Sequence, residues 1–395
     1  MKSRFLWIVS LVLILAAAGA WLFSGGHPVR MLAGVTGGPD AMAYLPPRRE
    51  VEVPPGPPQP TLTVEEARID PASLELSAAY AGTRNTRALV VGFKGHILYQ
   101  KYWGGATLES MVDASGFAPV LPALVLGTAL QNGEIHNLDE VASKYLPEWA
   151  GDPRGTITWR DLLTGNSNLA VPGARPWPGS LAANYYVRDN LGATLLGWPQ
   201  AAKPDPAGSP FEVDADVLSL LLTRKFQAPY TQLLNERVWQ PLGAGAYSIG
   251  IDGDHSTTAY ERAGCCVRAR IGDWMRVGTL IANHGVFEGN QLLPPEFAQM
   301  LLSPTHAGSA RSVFLRVDGQ YAARDVVRLE APGRQRLWMV PSLKLVILRV
   351  GEEPPTSAGW DEAMIPDNII RGTRDWQPAS SGKGGEVDPK RFAPH

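Results

Sequence analysis

The chain has 395 residues, with 36 basic and 38 acidic side chains and a formal net charge of −2. Near-neutrality argues against a nucleic-acid partner, which needs a basic excess, and against a solvating acidic chain. The length and an apolar share of 45% allow one large or two small domains with a full core.

Lys2 and Arg4 precede Phe5 to Phe23, an uncharged run of roughly 19 residues, about the minimum that spans a bilayer. Ala18-Gly19-Ala20 has the form of a signal-peptide cleavage site, but Trp21-Leu22-Phe23 prolong the apolar run. Residues 1–24 are therefore read as an uncleaved signal anchor. The basic flank keeps the N-terminus in the cytoplasm. The expected address is the bacterial inner membrane, single-pass, with the C-terminal domain periplasmic.

Residues 25–62 contain LPPRREVEVPPGPPQP, a proline-rich linker that reads as a stalk. The folded domain is expected over 63–373, opening with a short helix around Pro71 to Tyr80. Ala88 to Trp103 has two β-rich runs around Lys94-Gly95, a hairpin signal. His96, beside that turn, reads as a solvated surface residue.

Asp113 to Glu134 is the central stretch. Val120 to Leu130 is rich in Leu, Val and Ala and predicts a buried helix closed near Asn132-Gly133. Pro119 suits its first turn. Pro172 to Pro210 reads as loop with short helices, a cover over a cleft, and its Tyr185 and Tyr186 read as packing residues rather than pocket-lining ones. A further helix follows SPFEVDADV. Asp214 and Asp216 read as helix-entry aspartates rather than an acid–base pair.

Cys265 and Cys266, the two cysteines of the chain, are adjacent. They read as small buried residues, unbonded and without metal. Asp273 and Arg276 stand three apart and are expected to pair on one helical face. Strands are expected in SVFLRV, QYAARDVVRLE and RLWMVPSLKLVILRV, with a turn at Pro341-Ser342. Residues 374–395 read as a disordered tail.

Gly127, Ala129, Gly133-Glu134-Ile135, Leu138-Asp139, Tyr145-Leu146-Pro147, Ile157-Thr158 and Asp161-Leu162-Leu163 follow one another with a characteristic spacing. So do Trp239, Pro241, Leu242 and Gly243, and Ala269, Asp273, Arg276 and Gly278. This pattern, from Ala88 to Arg349, resembles the serine hydrolases related to class C β-lactamases and penicillin-binding proteins. The resemblance implies an α+β, β-lactamase/transpeptidase-like fold. Its antiparallel sheet, built from the Ala88 hairpin and the Val313–Val350 strands, is flanked by helices, with a mainly helical insertion at about 133–264.

The family's catalytic motifs do not carry over. Its central helix begins with S-x-x-K. A gapless register puts Gly116 at the serine and Pro119 at the lysine; a one-residue slip puts Ser115 at the serine but Ala118 at the lysine. In the family's F-x-Y-x-N/S segment, Phe211 is kept, while Val213 and Ala215 replace the tyrosine and the amide-binding residue. Where the family has K-T-G or H-x-G, this chain has Glu330 to Gln335, with Gly333 and Gln335 as remnants and Arg334 or Arg336 as sources of charge.

The resemblance thus implies a cleft around Gly116, Phe117, Val213, Ala215, Gly333 and Gln335, with Ser115 the candidate nucleophile. Without lysine and tyrosine, that hydroxyl lacks an evident base. The expected protein is membrane-tethered and catalytically inactive, binds a peptide, a peptidoglycan-like ligand or an envelope protein, and needs no cofactor or metal. The alternatives are a hydrolase of amide or ester bonds using Ser115 with a base such as Asp113, His136 or Tyr185, and a structural envelope anchor whose cleft is plugged by Phe117 and Val213.

Overall fold

The computed structural model describes residues 47–373, except 174–178, 202–211, 254–258, 306–308 and 318, together with Trp7 and Gly19. The anchor, the first part of the linker, Phe211 and the tail lie outside the described residues. Among the described residues, no helix is long and apolar enough to cross a membrane.

In chain order the elements are β1 (Arg48–Val51), α1 (Val64–Ala67), α2 (Pro71–Gly82), β2 (Thr86–Phe93), β3 (His96–Tyr102), β4 (Met111–Asp113) and α3 (Val120–Gln131). Then come α4 (Trp159–Thr164), α5 (Leu191–Leu196), α6 (Glu212–Phe226), α7 (Tyr230–Leu234), β5 (Tyr247–Gly250), β6 (Val267–Arg270) and α8 (Ile271–Ala282). The chain closes with β7 (Val286–Phe287), β8 (Asn290–Gln291), α9 (Pro295–Leu302), β9 (Val327–Ala331), β10 (Gln335–Val340), β11 (Leu345–Gly351) and α10 (Met364–Gly372).

The main sheet is antiparallel, in the order β3-β2-β11-β10-β9. Its central strands are mostly apolar because both faces are covered. Leu89, Val91, Trp338 and Ile347 point into one core with Leu74, Ala78 and Ala81 of α2 and Ile365 and Ile369 of α10. Their neighbours Ala88, Val90, Leu337, Met339 and Leu348 point the other way, into a larger core shared with α3, α6 and α8. This is the period-two alternation of a strand, with helices on each side supplying the apolar partners. Asp70 caps α2 by accepting from Ala72 N at 3.0 Å, with Pro71 at its first position. Lys94 and Gly95 take positive φ, as a two-residue hairpin turn requires.

A second, smaller sheet has the order β1-β5-β6-β4. It draws β5 from the region expected to be helical. It also draws β1 from the stretch expected to be linker, so from Arg48 onward that stretch belongs to the folded body. The prolines fit because the backbone N–H groups that bond to the body belong to other residues of the segment, while a proline can still offer its carbonyl. Ile97 N donates to Pro60 O at 2.7 Å, and Gly56 N donates to Gly243 O at 3.0 Å. SVFLRV is no strand beyond isolated bridges at Arg316, and QYAARDVVRLE is strand only over β9. The expected Asp273–Arg276 pair is also corrected: Asp273 binds Arg270 at 2.9 Å, and Arg276 instead donates to the carbonyls of Leu242, at 2.7 Å, and Pro57.

Arg349 on β11 is fully buried. Its guanidinium donates to Thr86 Oγ1 and Glu352 O, both at 3.0 Å, and to the carbonyls of Gly333 and Arg84. Burial lowers its pKa to about 10. A buried carbonyl deprived of its donor costs about 1–3 kcal/mol. Arg349→Met is therefore expected to lower stability by roughly 2–4 kcal/mol in urea unfolding, with several acceptors stranded at once. An unchanged midpoint would contradict this role of Arg349.

Candidate functional site

The N-terminal end of α3 meets the edge strand β9. The single turn Ser115–Phe117 precedes α3 and lies against β9 and the β9–β10 turn. Two cavities that share Gly116, Tyr186, Glu212 and Glu330 open there, of about 270 and 360 Å³. Pro119, Arg311, Phe314 and Arg316 help to line the first; Ser115, Cys265, Gly333, Arg334 and Arg336 help to line the second. Carboxylates and guanidinium groups both face this cleft.

Gly116 and Pro119 both border it, whereas Ala118 is fully buried. The gapless register thus puts the two substituted positions on the cleft. At Gly116 there is no room for a side chain: a Cβ would stand 2.0 Å from the carbonyl oxygen of Glu330 and 3.0 Å from Ala331 Cα.

Ser115 is 5% exposed and, among the described residues, its hydroxyl has no hydrogen-bond partner. None of the bases considered for it is suitably arranged. Asp113 is gripped by Arg48 Nη2 at 2.9 and 3.0 Å; burial raises its pKa and that guanidinium opposes the rise. Tyr185 is fully buried and donates to Asp216. His136 lines a separate cavity beyond the other end of α3.

The other expected cleft residues divide. Gly333 lines the cavity in the β9–β10 turn. Gln335 is buried and donates to Asp113 O at 2.9 Å, tying β10 to the strand that leads into Ser115. Phe117 is core, its ring edge-on to Trp274 at 5.3 Å. Val213 and Ala215 are also fully buried and do not line the cavities. The residue from α6 that reaches the cleft is Glu212, which precedes them.

Tyr186, expected to be packing, faces the cleft and donates to Glu212 Oε2 at 2.9 Å. Burial and the Glu212 carboxylate push its phenol pKa up, which keeps it a protonated hydroxyl with no phenolate to accept a proton. Its neighbour Tyr185 is the packing residue, edge-on to Tyr186 at 4.7 Å and to Trp198 at 5.6 Å. On the far wall Glu330 pairs with Arg328 at 2.8 Å, and Arg336 pairs with Glu362 at 2.7 Å. The turn residue Arg334 forms an exposed pair with Glu353 at 3.0 Å.

Cys265 and Cys266 are joined in a disulfide, which corrects the expectation of two unbonded core residues. Both are buried as expected, but Cys266 takes a φ of +67°, and this sharp local turn lets adjacent side chains meet. Among the described residues, no group of His, Cys, Asp and Glu could hold a metal ion.

A family profile described as Beta-lactamase matches residues 88–293. The chain belongs to the beta-lactamase family. Solved structures place this beta-lactamase-family chain in the same fold: a Bacillus anthracis protein assigned as a 6-aminohexanoate-dimer hydrolase is 16% identical, with a TM-score of 0.64, covering 83% of this chain and 89% of that one. FmtA from Staphylococcus aureus is 14% identical, with a TM-score of 0.58, covering 84% and 96%. A penicillin-binding protein homologue from Caulobacter crescentus is 11% identical, with a TM-score of 0.54, covering 76% and 96%. No curated protein matches the chain.

Behind the cleft, Asp216 of α6 is fully buried. Burial pushes its pKa up to about 6, opposed by hydrogen bonds from Tyr185 and from Gly264 N, the latter at 3.0 Å. The folded chain therefore keeps this proton to higher pH than the unfolded chain, and the stability tied to it falls as pH rises from about 4 to about 6. Asp216→Asn is expected to remove that fall, a difference of at most about 3 kcal/mol. Urea unfolding of both proteins between pH 4 and 7.5 measures it; parallel pH profiles would refute the assignment.

Proposed function

We propose that this beta-lactamase-family protein does not acylate and acts by binding a peptide or peptidoglycan fragment in its cleft. The observation that carries this reading is the Glu330 carbonyl, which occupies the space a side chain at Gly116 would need. The absence of lysine and tyrosine at their family positions supports it, because a serine hydroxyl is a poor nucleophile until a base takes its proton. The mixed lining of Glu212, Glu330, Arg311, Arg316 and Arg336 suits a ligand with both carboxylates and amines, as peptide stems have. Phe117 and Val213 leave the cleft open, which favours binding over a purely structural anchor. The N-terminal apolar run would tether the domain to a bacterial inner membrane, on the periplasmic side.

The test is covalent labelling of the purified chain by a fluorescent penicillin and a fluorophosphonate, beside Ser115→Ala. The expected outcome is no labelling of either protein. Labelling that disappears in Ser115→Ala would replace this proposal with a Ser115 hydrolase acting on amides or esters. Calorimetric titration with soluble muropeptides is expected to show saturable binding by the unlabelled protein.

Restoring the family residue should not restore chemistry. Gly116→Ser is expected to cost roughly 1–3 kcal/mol of stability, as overpacking does, and to remain unlabelled. A stable Gly116→Ser protein that reacts with penicillin would show that β9 can move aside.

A further inference from the structure

The disulfide has a place in the cleft that the binding proposal leaves unused. Cys265, itself 2% exposed, borders the larger of the two cleft cavities beside Ser115, Gly116 and Glu212, and Cys266 is 1% exposed behind it. The pair is also attached to both walls. On one side the carbonyl of Cys266 accepts from Arg48 Nη1 at 3.0 Å and from Gly250 N at 2.9 Å. The same guanidinium grips the Asp113 carboxylate, two residues before Ser115. On the other side Gly264, next to Cys265, donates to Asp216 Oδ1 at 3.0 Å, and Asp216 lies one helical turn along from Glu212.

We propose that Cys265–Cys266 is a redox site opening on the cleft, its co-reactant a small dithiol, and that its oxidised form holds the two walls in register. A thiolate entering the cleft attacks Cys265 Sγ; the Cys265–Cys266 bond breaks, and Cys266 leaves as a thiolate and takes up a proton. The second thiol of the reagent then displaces Cys265. The reagent departs as a disulfide and the protein gains two thiols, a balanced two-electron exchange. Once the ring is open, the Cys265–Cys266 peptide is no longer confined to its left-handed turn. The Arg48 contact on one side and the Gly264–Asp216 contact on the other both loosen. Such a bond persists outside a reducing cytosol, in keeping with the address read from the N-terminus.

The test uses the full chain, with and without dithiothreitol. Unreduced protein, denatured and treated with iodoacetamide, is expected to show no alkylated cysteine by intact mass; folded protein exposed to dithiothreitol is expected to show two. Hydrogen exchange read by mass spectrometry should then quicken about tenfold in residues 111–117 and 212–216 on reduction, with the β10–β11 hairpin unchanged. A double variant, Cys265→Ser with Cys266→Ser, should give the reduced pattern without reductant. Alkylation of both cysteines before reduction would overturn the proposal, as would exchange that reduction leaves unaltered. Neither readout involves penicillin or a cleft ligand, so failure here and failure of the non-acylating reading are separate results.

Discussion

Strand β9 and the turn that opens α3 are in backbone contact, and the rest of the site follows from that contact. The main sheet is fixed from both faces by apolar side chains, and α3 is buried along most of its length, so neither element can retreat without opening a core. A close approach of strand to helix therefore has to be absorbed locally. Gly116 absorbs it. The charged side chains of that wall pair with one another, Arg328 with Glu330 and Arg336 with Glu362. The result is a polar cavity beside which Asp113 is held by Arg48, Tyr185 is held by Asp216, and His136 lies in a separate cavity.

The parts of the fold legible in the sequence are those with local signals. The Lys94-Gly95 hairpin, the apolar run of α3 and the strand–turn–strand around Pro341-Ser342 each need only nearby residues to be recognised. The parts that were not legible depend on distant partners. Strand β1 lies among prolines and becomes a strand because β5 offers a free edge. Asp273 has arginines three residues away on either side, and only packing decides that Arg270 takes it. SVFLRV has strand composition but makes only isolated bridges.

The site was partly legible for the same reason. The substitutions at Gly116 and Pro119 are what the family resemblance implies in its gapless register, and both positions border the cleft. Val213 and Ala215 were counted onto the cleft by motif alignment, yet in the helix they turn inward and Glu212 faces out. A shift of one residue on a helix turns a side chain by about 100°, enough to exchange core for cavity. Tyr185 and Tyr186 differ in the same way: adjacency in sequence hides opposite environments.

The pairing of β1 with β5 also gives the domain a mechanical entry point. Any pull on the chain upstream of residue 47 is borne first by Arg48 and the strand it begins, not by the main sheet. Arg48 is the residue whose guanidinium holds both Asp113 and the carbonyl of Cys266. Tension on the N-terminal side would therefore reach the floor of the cleft before it reached either core. A pull from that side would be felt at the cleft before it was felt in the main sheet.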